Sequence, residues 1–190
     1  MIIGISGYAR SGKDTIAQYL VESHGFTRMA FADPMREALY RLNPSVTVSG
    51  VHGVPLASVV ETLGWERLKE ISPDVRVLLQ RMGTEVGRGM FGQDLWVDYL
   101  MKKAENATTD IVIPDVRFVN EAEAIKNAGG TVIRVNRPGV EAVNDHISEH
   151  ELDGYNFNIY LDNVTTIEGL CTAVDALLPG IARKYATSGA

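Results

Sequence analysis

The 190-residue sequence lacks several features, and each absence excludes a class of protein. A single cysteine, Cys171, excludes an internal disulfide framework and a thiolate-rich zinc site, and it is typical of a reducing cytosol. No apolar run approaches the roughly 20 residues that span a bilayer, and the apolar start has no basic leader of the signal-peptide kind. The 18 basic and 24 acidic residues give a net charge of -6, whereas nonspecific nucleic-acid binding needs a basic face. We therefore expect a cytoplasmic protein without nucleic-acid or membrane partners.

Apolar runs alternate with amphipathic stretches, which predicts an α/β fold with a mostly parallel five-stranded sheet. Strands are expected at residues 2–5, 28–32, 110–115, 131–135 and 157–161. Helices are expected at residues 15–22, from 34 onward with Asp33 as the cap, and at 57–69, 73–85, 93–105, 120–128 and 167–178. Residues 43–56 hold two prolines and two glycines among small residues, which predicts a loop or a weak hairpin.

The strongest motif is a glycine-rich turn between the first strand and the first helix, Gly7-Tyr8-Ala9-Arg10-Ser11-Gly12-Lys13-Asp14-Thr15. A strand before it and a helix after it are the context of a phosphate-binding P-loop. Gly7 and Gly12 permit backbone angles and close approaches that a side chain would block. The loop amides then form a concave anion site that the helix N-terminus reinforces. Lys13 is expected to reach the outer phosphates, with its side chain exposed until phosphate binds.

The position after Lys13 departs from the usual motif. A Ser or Thr hydroxyl normally binds magnesium there, but this sequence has Asp14, and Thr15 comes one residue later. Asp14 either favours the helix N-terminus electrostatically or binds Mg²⁺ through water. The pattern is similar to that of adenylate-kinase-like nucleoside monophosphate kinases.

Two charged residues follow the third strand of the predicted sheet. Asp115 is expected at the same carboxyl edge as the P-loop, where an acid can orient hydrated magnesium. Arg117, two residues on, has the planar fork that binds a phosphate bidentately. The alternative is a surface loop of ordinary charges.

Two further candidate residues, Gly83 and Trp96, lie in the helical region that is predicted before the third strand. Gly83 interrupts a helical pattern at a cost of about 1 kcal/mol against alanine, which close approach of a ligand or another backbone would offset. Trp96 either packs in the core or stacks on a base. No Ser–His–Asp or Cys–His nucleophile is evident, and an anionic phosphate acceptor needs none.

Several segments, in order along the chain, together resemble bacteriophage deoxynucleoside monophosphate kinases. They are Arg10-Ser11-Gly12-Lys13-Asp14-Thr15, Ala32-Asp33-Pro34-Met35-Arg36-Glu37-Ala38-Leu39, Leu79-Gln80-Arg81-Met82-Gly83-Thr84-Glu85, Asp94-Leu95-Trp96-Val97, Pro114-Asp115-Val116-Arg117-Phe118-Val119-Asn120-Glu121, Arg137-Pro138-Gly139 and Asp145-His146-Ile147-Ser148-Glu149.

The resemblance implies a three-layer P-loop NTPase fold of the nucleoside-monophosphate-kinase type, and transfer of the ATP γ-phosphate to a deoxynucleoside monophosphate. It implies one domain over residues 1–184, with a helical acceptor-binding insertion at about 34–106 and a flexible tail at 185–190. The residues that it assigns to ATP and Mg²⁺ are Gly7, Arg10, Ser11, Gly12, Lys13, Asp14 and Thr15, with Arg137 covering the phosphates from a lid. Those that it assigns to the acceptor are Arg36, Gln80, Gly83, Thr84, Trp96, Asp115, Arg117 and Glu121. The catalytic roles fall to Lys13, Arg10, Asp115 and Arg117.

Two other functions stay open from the sequence. One is a kinase for another small phosphorylated metabolite, similar to dephospho-coenzyme A kinase. The other is a noncatalytic protein that binds ATP without turnover. A homodimer is also open, and if the chain is phage-encoded its location would be the host cytoplasm.

Overall fold

The first strand is buried over its whole length in a computed structural model that describes residues 1–142 and 146–188. The strands are β1 (Ile2–Ser6), β2 (Thr27–Arg28), β3 (Ser45–Val48), β4 (Val51–Pro55), β5 (Ile111–Ile113), β6 (Thr131–Asn136) and β7 (Ile159–Asp162). The α-helices are α1 (Lys13–His24), α2 (Asp33–Leu42), α3 (Leu56–Ile71), α4 (Pro73–Gln80), α5 (Leu95–Glu105), α6 (Val119–Asn127), α7 (Ile147–His150) and α8 (Ile167–Ser188). A π-helix, Arg81–Phe91, follows α4.

The chain divides into two compact units, residues 31–99 and the remainder, which are called the insertion unit and the sheet unit below. The sheet unit holds five parallel strands in the order β2-β5-β1-β6-β7. This confirms the predicted α/β fold with a parallel five-stranded sheet.

Helices cover both faces of this sheet, which is why β1 is apolar throughout. Ile16 and Leu20 of α1 and Val174 of α8 pack with Ile3 and Ile5 on one face. On the other face Ile125 of α6 lies so close to Gly4 that a Cβ there would collide with it. The sheet unit is therefore a three-layer sandwich, and the carboxyl ends of its strands share one edge.

The insertion unit is built from helices and one hairpin. Its core includes Leu39, Val46, Leu56 and Leu68. The hairpin β3–β4 is the second of the two structures predicted for residues 43–56. It turns through Ser49 and Gly50, which both have positive φ, as a tight two-residue hairpin turn requires.

Several predicted boundaries are wrong. The second strand ends at Arg28 rather than residue 32, and α2 begins at Asp33 with Ala32 at the cap position. The helix predicted over residues 73–85 is α at first and then π from Arg81.

The predicted end of the last helix at residue 178 is also wrong. α8 passes through Pro179 and continues to Ser188. Proline removes one backbone donor, but Ile181, two residues further, is buried in the core of the sheet unit, and its packing stabilises this part of the helix. Residues 185–188 of the predicted tail are therefore helical, and residues 189–190 lie outside the described part. No helix in the described residues has both the length and the apolar composition needed to cross a membrane.

Candidate active site

The P-loop joins β1 to α1 and has an unusual backbone. Gly7 and Gly12 have φ of 152° and 106°, and Arg10, which is not a glycine, has φ of 68°. Left-handed angles at a non-glycine residue cost energy and are found where the surroundings impose them. A Cβ on Gly7 would collide with the Ser11 hydroxyl and the Val135 carbonyl, so only glycine fits there.

The loop supplies backbone donors at a helix start. The first intrahelical bond of α1 runs from Ile16 N–H to the Gly12 carbonyl at 3.0 Å. The amides of Lys13, Asp14 and Thr15 precede that bond, so they have no intrahelical acceptor. A polyphosphate fits such a set of donors, because anions bind where free N–H groups and the positive end of a helix coincide.

Lys13 is buried, with 7% of its surface exposed, so the expectation that its side chain lies in solvent before phosphate binds is wrong. Its Nζ lies 3.3 Å from Oδ2 of Asp14, whose side chain is exposed. A buried ammonium is costly unless it is paired. The neighbouring carboxylate supplies a partner, which is a third role for Asp14 beyond the two considered from sequence.

Magnesium would have few protein ligands here. Within residues 1–142 and 146–188, no group of three His, Cys, Asp or Glu side chains could hold a metal ion. Asp14 and Thr15 lie in the first turn of α1, and Asp115 lies two residues after β5, the strand beside β1 in the sheet. This donor set suits Mg²⁺, which keeps several waters and shares substrate phosphates, rather than a metal in an all-protein cage.

Two residues from distant strand ends contact the loop. Arg137, just after β6, donates from Nη1 to the Arg10 carbonyl at 3.2 Å. Asn163, just after β7, donates from Nδ2 to the Ser11 carbonyl at 2.8 Å. Arg137 thus contacts the P-loop backbone, and its role as a lid over the phosphates stays a prediction. The contact of Asn163 was not predicted from the sequence.

A second group of charges lies at the same edge of the sheet. Arg117 lines a small cavity with Ser6 and Gly7. Its guanidinium forms an ion pair with Glu149 of α7. Glu121 is buried, and its carboxylate accepts hydrogen bonds from the amides of Arg117, at 2.7 Å, and Phe118, at 3.1 Å. Glu121 therefore holds the backbone of Arg117 in place.

A third arginine at this edge is held by its neighbours. Arg134 lies opposite Ser6 in the sheet, 4.6 Å from the Tyr8 ring centroid and 3.5 Å from a carboxylate oxygen of Asp153. The Tyr8 hydroxyl donates to Asp153 at 2.8 Å, and this bond raises the pKa of Tyr8 above its usual value. Arg134 and Asp153 thus fix the beginning of the P-loop.

The insertion unit contains the other predicted acceptor residues. Arg36 borders a cavity of about 300 Å³ with Tyr40 and Trp65. Its Nη2 donates to Glu66 at 3.0 Å, and its buried Nε has no hydrogen-bond partner within the described part of the chain. The pKa of Glu66 is lowered, because Lys69 and Arg36 together outweigh the opposing effect of burial.

Gln80, Gly83 and Thr84 lie at the junction of α4 and the π-helix, and Trp96 packs there. Trp96 is 9% exposed, and its Nε1 donates to the Gly83 carbonyl at 2.9 Å. Packing, one of its two predicted roles, is therefore what the structure shows. A Cβ at Gly83 would lie 2.7 Å from the Met35 sulfur, which belongs to a flexible side chain that can move aside.

Alanine at Gly87 should lower the free energy of unfolding by about 1–3 kcal/mol. A Cβ at this position would lie 2.4 Å from the nearest ring atoms of Trp96. Gly89, in the same π-helix, is the matched control, because its Cβ would meet only the Thr84 carbonyl at 3.4 Å. Urea denaturation measures both variants, and equal midpoints for the two would contradict the packing of Trp96.

One segment of the family resemblance, residues 145–149, lies only partly within the described residues. Asp145, in the predicted stretch 145–149, lies outside the described residues, whereas Glu149 pairs with Arg117 as described above.

Sequence comparisons connect this chain to known proteins. The family model for deoxynucleotide monophosphate kinase matches residues 60–174. A protein of Acanthamoeba polyphaga mimivirus, provisionally described as such a kinase, is 34% identical over 189 residues, which cover 88% of this chain and 91% of that protein. The deoxynucleotide monophosphate kinase of Enterobacteria phage T4 is 23% identical over 233 residues, which cover 91% of this chain and 96% of the relative.

Among solved structures, shikimate kinase from Aquifex aeolicus is similar over 96% of this chain and 98% of its own, with 14% identity and a TM-score of 0.47.

Proposed function

Because the chain belongs to the deoxynucleotide monophosphate kinase family, we propose that it transfers the γ-phosphoryl group of ATP to a deoxynucleoside 5′-monophosphate. The products are ADP and a deoxynucleoside diphosphate. The observation that carries the proposal is the P-loop at the start of α1, with glycines at the two positions of high φ and Lys13 at its end.

On the donor side, the loop amides and Lys13 bind the β- and γ-phosphates of ATP. Arg10 and Arg137 add positive charge at the outer side of the loop, where the Arg137 guanidinium already contacts the Arg10 backbone carbonyl. Magnesium, held by phosphate oxygens, water, Asp14 and Thr15, supplies charge neutralisation when bound.

On the acceptor side, Arg117 binds the monophosphate, and Asp115 orients the acceptor or the hydrated metal. Glu121 acts through the Arg117 backbone. Arg36, Gln80, Gly83 and Thr84 are proposed acceptor contacts of the insertion unit, whereas Trp96 acts by supporting Gly83.

The chemistry needs alignment and charge rather than a strong base. A monophosphate oxygen is already anionic, so it can attack the γ-phosphorus once it lies in line with the bond to the β-phosphate. The residues therefore bring two anionic substrates together, and their positive charges offset the repulsion between the phosphates.

A coupled assay of ADP release with ATP and each of the four common deoxynucleoside monophosphates tests the proposal. We expect turnover with at least one. Turnover only with dephospho-coenzyme A would favour the kinase for another phosphorylated metabolite. Calorimetric binding of ATP with no turnover on any acceptor would favour the noncatalytic protein.

The proposed partners are small molecules. The net charge of -6 supports the absence of a nucleic-acid partner. A homodimer and a cytoplasmic location stay predictions, and sedimentation velocity would settle the first.

Glutamine at Glu149 should lower the KM for the acceptor about two- to fivefold, because the carboxylate that now holds Arg117 competes with the incoming phosphate. Steady-state kinetics at saturating ATP measures this change. A higher KM would show instead that Glu149 holds Arg117 in its working position.

A further inference from the structure

Asn163 connects the P-loop to the far edge of the sheet. Its backbone N–H donates to the Asn136 carbonyl at 2.7 Å, which fixes it beside the end of β6. Its side-chain Nδ2 donates to the Ser11 carbonyl at 2.8 Å, across 152 positions of sequence. Ser11 is 1% exposed, so water has little access with which to replace the hydrogen bond from Asn163.

The same amide packs against Gly12. A Cβ on Gly12 would collide with Nδ2 of Asn163 and press on Leu170. Because Gly12 has no Cβ, the Asn163 amide can pack directly against its Cα, and its φ of 106° also favours glycine. The end of the P-loop is fixed by a hydrogen bond and by direct packing from the same side chain.

This contact has a consequence for the next amide in the loop. The peptide bond between Ser11 and Gly12 is planar and trans, so its C=O and N–H point in opposite directions. A donor that holds the Ser11 carbonyl on one side of the loop holds the Gly12 N–H on the other. In an anion-binding loop, the concave side is where the N–H groups must point.

We infer that Asn163 is a positioning residue for the polyphosphate site. It orients the Gly12 N–H toward the phosphate without touching the nucleotide itself. The inference rests on the donor half of the proposed function and adds a residue from the other end of the chain.

Calorimetric titration with ATP, without an acceptor, tests the inference on Asn163→Ala. We expect ATP to bind about tenfold more weakly, the usual effect of losing one well-placed hydrogen bond. Asn106→Ala is the matched control, because Asn106 also donates its amide to a backbone carbonyl at 2.8 Å, that of Lys102, on an exposed surface. The control should bind ATP like the wild type.

Kinetics separates positioning from general damage. For Asn163→Ala, the KM for ATP should rise while the KM for the acceptor stays near wild type, whereas general damage to the site would raise both constants. The urea midpoint without nucleotide should fall, because the buried Ser11 carbonyl loses its donor. Asn163→Asp keeps the size but sets an acceptor against the Ser11 carbonyl, so it should bind ATP more weakly than the alanine variant. Suppose that Asn163→Asp binds ATP normally in high salt and that Asn163→Ala binds ATP normally in any salt. The weaker binding of Asn163→Asp would then be due to its charge alone, and the inference would fail.

Normal ATP binding by Asn163→Ala overturns the inference alone. A wild-type protein that binds ATP but phosphorylates no deoxynucleotide overturns the proposed reaction and leaves the binding comparison valid. A wild-type protein that binds no ATP overturns both.

Discussion

Methionine at Lys13 should lower kcat about 10²- to 10³-fold, the usual loss when one preorganised group that neutralises transition-state charge is removed. Methionine is the appropriate substitution because Lys13 is buried. It retains the volume of the side-chain stem and removes only the ammonium. Single-turnover kinetics with saturating ATP and acceptor measures the phosphoryl-transfer step directly.

The fold should survive this change. Removing a buried charge beside an exposed carboxylate relieves a desolvation cost, so the urea midpoint of Lys13→Met should equal or exceed that of the wild type. Lys13→Ala is a useful contrast, because it also opens a void and should be less stable than Lys13→Met. A near-normal kcat in a folded Lys13→Met protein would mean that this loop is not the phosphoryl-transfer site.

Alanine at Arg117 should raise the KM for the acceptor about 10- to 100-fold, because a hydrogen bond to a charged group contributes about 1.5–3 kcal/mol. The KM for ATP should change little. Initial rates over a grid of both substrate concentrations separate the two constants.

The ion pair with Glu149 provides the control for this variant. Arg117→Ala leaves that carboxylate without its arginine, which by itself would repel an incoming phosphate. The double variant Arg117→Ala with Glu149→Gln removes the repulsion, and its KM should stay well above that of Glu149→Gln alone. If the double variant binds the acceptor normally, Arg117 serves only to neutralise Glu149.

The parts of the fold that the sequence predicted depend on local patterns. The P-loop motif, the parallel strands and the approximate helices follow from residues within a few positions of one another. Glycines, β-branched runs and helical periodicity act over that range, so the five strands of the parallel sheet and the place of Lys13 at a helix start were predictable.

The parts that were missed depend on contacts across the chain. Nothing near Asn163 indicates that it contacts Ser11, and nothing near Glu149 indicates that it pairs with Arg117. The passage of α8 through Pro179 depends on burial of Ile181 in a core assembled from other elements. The burial of Lys13 is likewise a tertiary effect, because its sequence context is that of an exposed helix start.

The contact between Asn163 and Ser11 has a consequence for the time at which activity arises in the cell. During translation the glycine-rich loop leaves the ribosome early, but the residue that fixes its end is synthesised only 152 positions later. Contacts of such separation form late in folding. A nascent chain should therefore bind ATP more weakly until β7 has joined the sheet, so full affinity arises only once synthesis of the chain is nearly complete.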